Sequence, residues 1–153
     1  KINFGPVFYI AGILSIGAIM ANSGLDKFLA AHVIDILQLE KGHDALNFAS
    51  ILGLGIVSAL GMTAPGAPAI TVPLAEALSQ ATGMPLLTVL MAELTGQSLV
   101  LLPYALPPVA VAIIVGSVKI GEAVKATFLT AVTIALFLAP LQFFYWKAIG
   151  MFG

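Results

Sequence analysis

Glu93-Leu-Thr-Gly-Gln-Ser-Leu-Val-Leu-Leu-Pro-Tyr-Ala-Leu-Pro-Pro-Val-Ala-Val-Ala-Ile-Ile-Val-Gly-Ser117 is the stretch that decides the fold. It is long and apolar enough to cross a bilayer, yet Pro103, Pro107 and Pro108 interrupt its middle. Proline lacks the backbone donor and its ring clashes with the preceding turn, so a regular helix is not expected to run through. Within hydrocarbon, irregular backbone survives only where protein buries it or where it lines a watery cavity. A broken membrane helix therefore points to a transport site.

The composition around this stretch agrees. The 153-residue chain is 60% hydrophobic and only 8% charged, with a mean hydropathy of +1.10. Soluble domains carry about 25% charged residues, so an all-α polytopic membrane protein is expected. The net charge is -1 and no basic cluster is present, which argues against nucleic acid as a partner. The absence of cysteine removes disulfides, thiolate catalysis and zinc-thiolate sites together. No charged n-region precedes a short apolar core, so no signal peptide is read. A chain that opens on Lys1 at the edge of an apolar segment is expected to be part of a longer one.

Along the chain, 1–44 reads as a span plus an interfacial helix. Asn3 to Asn22 carries no charge and matches the roughly 20 residues a spanning helix needs. Ser23-Gly-Leu-Asp26 predicts a capping box. It opens an amphipathic helix whose Leu25, Phe28, Leu29, Val33, Ile36 and Leu37 share a face. Residues 45–80 carry Gly61, Pro65, Gly66, Pro68 and Pro73 and predict a re-entrant hairpin with arms over 46–60 and 69–80. Two ordinary spans joined by a surface turn are the competing reading; short arms and an uncharged tip favour the hairpin. Residues 85–117 form the broken helix, with a first half expected from Leu86 to Leu102. Residues 122–147 form the last span, with a kink at Pro140 and an anchor in Phe143-Phe-Tyr-Trp-Lys147.

The chemistry is expected where backbone groups are released. Ends of half-helices offer N–H groups and a positive dipole to anions, and carbonyls to cations. Two such places exist, the tip Gly61-Met-Thr-Ala-Pro-Gly66 and the break Pro103–Pro108. Thr63 and the Gly66 N–H are candidates for an anionic group, and carbonyls near Ala105 and Leu106 for a small cation. Glu93, an acid mid-helix, is a functional candidate because ionisable groups are costly at membrane depth. It carries a proton or attracts a coupling cation, or else it is a neutral acid bonded to Thr95, Gln97 or a neighbouring helix. His32 and His43 lack a second histidine at i+4 and read as solvated or interfacial. Asn22, Thr88, Gln97 and Ser98 read as polar glue between helices.

At its two breaks the chain resembles the C-terminal half of the divalent anion/sodium symporter family, within the wider ion transporter superfamily. The resemblance is carried by Ile2-Asn-Phe-Gly5, Ser23-Gly24-Leu25, the hairpin ending at Pro73, and Leu102-Pro103-Tyr-Ala-Leu-Pro107-Pro108. It implies one half of an inverted repeat, the other half being an N-terminal repeat of the same transporter. It also implies a multi-pass protein of the cell membrane, a homodimer, and cation-coupled uptake of a dicarboxylate or sulfate by alternating access, with no enzymatic step. The implied substrate contacts are Thr63, Ala64, Pro65, Gly66, Leu106 and Pro107. The implied ion contacts are Ala105, Leu106, Pro107 and Glu93, with Na+ or H+ as coupling ion and no other metal or cofactor. Where the family tip carries Ser-Asn-Thr, this chain has Thr63-Ala64-Pro65. Where the family often has Thr-Pro-Pro-Asn, it has Leu106-Pro107-Pro108-Val109. A cation/proton antiporter of the same superfamily and a non-transporting membrane scaffold are the alternatives.

Overall fold

The computed structural model describes residues 4–62 and 66–153, and every regular element among them is helical. Helix α1 (Gly5–Ser23) begins with proline in its first turn, where a missing N–H has no intrahelical partner to lose. It ends at Gly24, whose φ of 74° is left-handed and strained for any residue with a Cβ. The chain turns by 84° there into α2 (Leu25–Leu37). This corner replaces the expected capping box. Gly24 takes the N-cap position, and the Ser23 hydroxyl donates backwards to the Met20 carbonyl at 3.1 Å.

The apolar stripe of α2 also divides differently from the expectation. Ala30 is buried and Leu29, Val33, Ile34 and Leu37 pack on the core, whereas Leu25, Phe28 and Ile36 stay exposed. The stripe is wider than the face its neighbours cover.

Helix α3 (Asp44–Gly61) is followed by α4 (Gly66–Thr71), a 3-10 turn at Val72–Leu74 and α5 (Ala75–Thr82). Helix α6 (Leu86–Gln97) stops short of the expected Leu102. Pro103 forces the residue before it out of the helical region, and Leu102 is extended at φ -125°, ψ 133°. A 3-10 turn (Pro103–Ala105) and α7 (Pro107–Val115) complete the interrupted segment. Helix α8 (Ile120–Thr133) continues through a π turn (Ile134–Leu138) into α9 (Ala139–Ala148). The π turn widens the helix where the Pro140 ring would otherwise meet the Leu136 carbonyl.

Among the described residues two helices are long and apolar enough to cross a membrane. They are α3, with 18 residues and a mean hydropathy of 1.5, and the continuous Ile120–Ala148, with 29 residues and 1.8. The bent α1–α2 pair makes a third if it counts as one span. At about 1.5 Å per residue α3 reaches roughly 27 Å, close to the hydrocarbon thickness of about 30 Å. The outer faces remain apolar: Ile114, Val115, Phe128, Leu129, Phe137 and Phe144 are all exposed.

The core is the seam between α3 and α6. Helix α3 buries Asn47, Phe48, Ile51, Leu52 and Gly55; α6 buries Thr88, Val89, Ala92, Glu93 and Gly96. Both sets follow the same i, i+1, i+4, i+5, i+8 spacing, which places each on one helical face. Gly55 and Gly96 let the backbones touch. A Cβ on Gly96 would collide with the Leu52 carbonyl oxygen, and one on Gly55 with the Glu93 carbonyl oxygen. Close approach through small residues is how membrane helices gain packing energy without a hydrophobic drive.

Around the seam, Phe48 packs on Phe143, Trp146 and Phe152 with ring centroids 5.6 to 6.1 Å apart. Lys147 lies 3.7 Å from Asp44, and Thr88 donates to the Met151 carbonyl. These contacts hold the end of α9 against the starts of α3 and α6. Gly55→Ala and Gly96→Ala should each lower stability by about 1–3 kcal/mol through overpacking. Gly53→Ala, with open space around its Cβ, should be neutral or stabilising. Thermal unfolding in detergent measures this, and equal effects at Gly53 and Gly96 would contradict the seam.

Candidate functional site

The polar groups of this apolar chain gather where α6 ends. Glu93 is 1% exposed on the last turns of α6. Thr71, at the end of α4, is 2% exposed, and its hydroxyl accepts a hydrogen bond from Gln97 Nε2 at 2.8 Å. Thr71 lies close enough to interact with the Glu93 carboxyl, yet neither carboxyl oxygen reaches hydrogen-bond geometry with any described residue. The bonds expected from Glu93 to Thr95 or Gln97 are therefore absent. Thr95 instead donates to the Met91 carbonyl and accepts from Gln142 Nε2 at 2.9 Å, while Gln97 is committed to Thr71.

Beyond Gln97 the interrupted segment, residues 98–106, lies against α8. The Thr127 hydroxyl reaches the Leu101 carbonyl at 3.2 Å and ties the two together. Between them is a cavity of about 310 Å³, lined by Ser98, Val100, Leu106, Thr127, Thr130 and Ala131 among others. That volume is at the small end of the range for ligand sites, roughly 300–1,000 Å³.

Its hydroxyls share a direction. Ser98 donates to the Leu94 carbonyl at 2.8 Å and Thr130 to the Ala126 carbonyl at 2.8 Å. Each hydroxyl has one proton and two lone pairs, so these groups face the cavity as acceptors.

The end of α7 nearest the cavity offers no compensating donors. Pro107 and Pro108 have no N–H, and the Val109 and Ala110 amides both bond the Leu106 carbonyl, at 3.0 and 3.1 Å. An anion site at this helix start is thus not formed, because the prolines that break the helix also remove its free donors. The Leu106 carbonyl, expected to face a cation, is taken by the same two amides. Ala105 is buried in the 3-10 turn and Leu106 lines the cavity.

Of the other expected site residues, Thr63, Ala64 and Pro65 lie outside the described residues. Gly66 opens α4, whose six residues are too short to build a strong dipole. The described link between the two interruptions is made at the other end of α4, by Thr71 and Gln97. Thr71 escaped the reading of the sequence, although it is the one polar side chain between Pro68 and Pro73. That isolation was the available signal. Asn47 was also missed; its side chain bonds the Glu40 backbone at 2.7 Å and closes the loop before α3.

The histidines behave as solvated groups: His32 Nδ1 lies 2.9 Å from the Phe28 carbonyl, and His43 is 3.9 Å from Glu40. Among the described residues no cluster of acids and histidines could hold a metal ion.

A double-mutant cycle of Thr71→Val and Gln97→Leu should show a coupling of about 0.5–1.5 kcal/mol, the net value of one hydrogen bond. Strict additivity in thermal unfolding would place the two side chains apart. No family model, curated protein or solved structure matches the chain.

Proposed function

We infer that the chain is one half of a cation-coupled secondary transporter of the cell membrane, working by alternating access. The carrying observation is the interrupted segment 98–106, which lies beside a small, mainly apolar cavity that carries the hydroxyls of Ser98, Thr127 and Thr130. Irregular backbone is tolerated at membrane depth where it is buried in protein or lines a solute path. In this reading α3 is one arm of a re-entrant hairpin and α4 with α5 the other. Helices α6 and α7 are two halves of one broken span, and the exposed apolar faces meet lipid, an N-terminal inverted repeat and a second protomer. Coupling uses Na+ or H+.

The resemblance to the divalent anion/sodium symporters makes a dicarboxylate or sulfate the first solute to test. A second reading, a cation/proton antiporter of the same superfamily, draws support from one observation. The cavity hydroxyls act as acceptors and α7 has no spare donor in its first turn, a lining suited to cations.

The full-length protein in proteoliposomes should accumulate labelled succinate or sulfate under an inward Na+ or H+ gradient. Thr127→Val with Thr130→Val, which removes acceptor oxygens from the cavity, should slow cation movement about tenfold in the antiporter reading, the equivalent of about 1.4 kcal/mol of binding. Cation movement against protons with no anion flux selects the antiporter. Absence of any solute movement above protein-free vesicles refutes both.

A further inference from the structure

Glu93 is the one described acid whose two carboxyl oxygens are both buried and without hydrogen-bond partners. A bare carboxylate in such a place lacks the donors that burial of charge requires. The described surroundings supply no counter-charge. Helix α3, packed on it most extensively, carries a single charged group, Asp44, paired with Lys147 at the far end of α9. Helix α4 has no titratable group. Helix α5 carries Glu76, which is exposed and faces a separate cleft with Asp26 and Lys27. Helix α9, which reaches α6 through Gln142, carries Lys147 and an exposed Tyr145.

Oxygen ligands are just as scarce. A dehydrated metal ion takes several oxygens. The side chain described as interacting with this carboxyl is the Thr71 hydroxyl, already an acceptor for Gln97. Both carboxyl oxygens are cut off from solvent, the residue being 1% exposed on the face of α6 that meets α3. A proton needs no coordination shell.

We propose that Glu93 is a proton-binding site and that the proton is the coupling ion of this transporter. The site rests on the transport reading above for its purpose, though not for its existence. Proton binding leaves a neutral carboxylic acid that the closed α3–α6 seam tolerates. Proton release leaves an anion that the closed seam does not tolerate, so the Gly55–Gly96 contact opens or Thr71 turns its hydroxyl hydrogen onto the carboxylate. The break at Ser98 begins about a turn and a half beyond Glu93, so either adjustment reaches the solute cavity through the end of α6. Thr71 and Gln97 are positioning residues that hold α4 to that moving end.

Two measurements on the full-length protein test this. Infrared difference spectroscopy on the reconstituted protein should show the carbonyl stretch of a protonated carboxylic acid at neutral pH. The band should shift in wild type on 13C-glutamate labelling, vanish in Glu93→Gln and persist in Glu122→Gln. Its absence from wild type overturns the proposal whether or not the protein transports. Separately, succinate or sulfate uptake with choline replacing sodium should be driven by an inward proton gradient. Glu93→Gln should lose that drive while retaining exchange of labelled for unlabelled solute. Sodium-driven uptake that is unchanged in Glu93→Gln overturns the proton as coupling ion. The infrared band with no solute movement keeps the proton site and defeats the transport reading instead.

Discussion

Backbone contact at Gly55 and Gly96 is the constraint on which the rest of the structure depends. In lipid the hydrophobic effect does little to hold one helix to another, so association relies on close packing and on hydrogen bonds between helices. The two glycines allow α3 and α6 to meet with nothing between them. That approach sets the depth at which Glu93 is buried and fixes the end of α6 in space. It also brings Gln97 within reach of Thr71 on α4. From the opposite end of the seam, Phe48 anchors the aromatic cluster that seats α9. A wider seam would admit water to Glu93 and release the interrupted segment from its position against α8.

The prolines act twice. They end regular helix between Gln97 and Pro107, and they strip α7 of the donors that a helix start normally presents. What remains near the break is a set of oxygens: hydroxyls whose protons are already used, beside apolar walls. Electrostatically this favours positive charge. The same economy operates at Glu93, where ligands are too few for a metal ion. Burial, ligand scarcity and tight packing act in one direction there.

Much of the architecture was legible in the sequence. Uncharged runs of spanning length and proline and glycine clusters marked helices and interruptions to within a few residues. Element ends were harder to place, because Leu102 looks helical until the restriction imposed by Pro103 is counted, and Ser23 looks like a cap until the corner at Gly24 is seen. Glu93 stood out as an acid in an apolar run, but its lack of partners is a property of three dimensions. Thr71 was hidden for a related reason: its role comes from Gln97, 26 positions away. Gly55 and Gly96 were inconspicuous among 15 glycines, since only the crossing of α3 and α6 separates them from Gly53.

The central claim is that residues 98–106 lie inside the membrane and are reached by water. Because this chain has no cysteine, single cysteine substitutions report directly. Labelling by a membrane-impermeant maleimide should reach Lys41→Cys from one side only and Lys119→Cys from the other. Ser98→Cys should react with the same reagent, with protection by succinate or sulfate under the proposed transport reading. Labelling of all three from one side, or a Ser98→Cys that behaves as a surface residue indifferent to solute, would contradict the account.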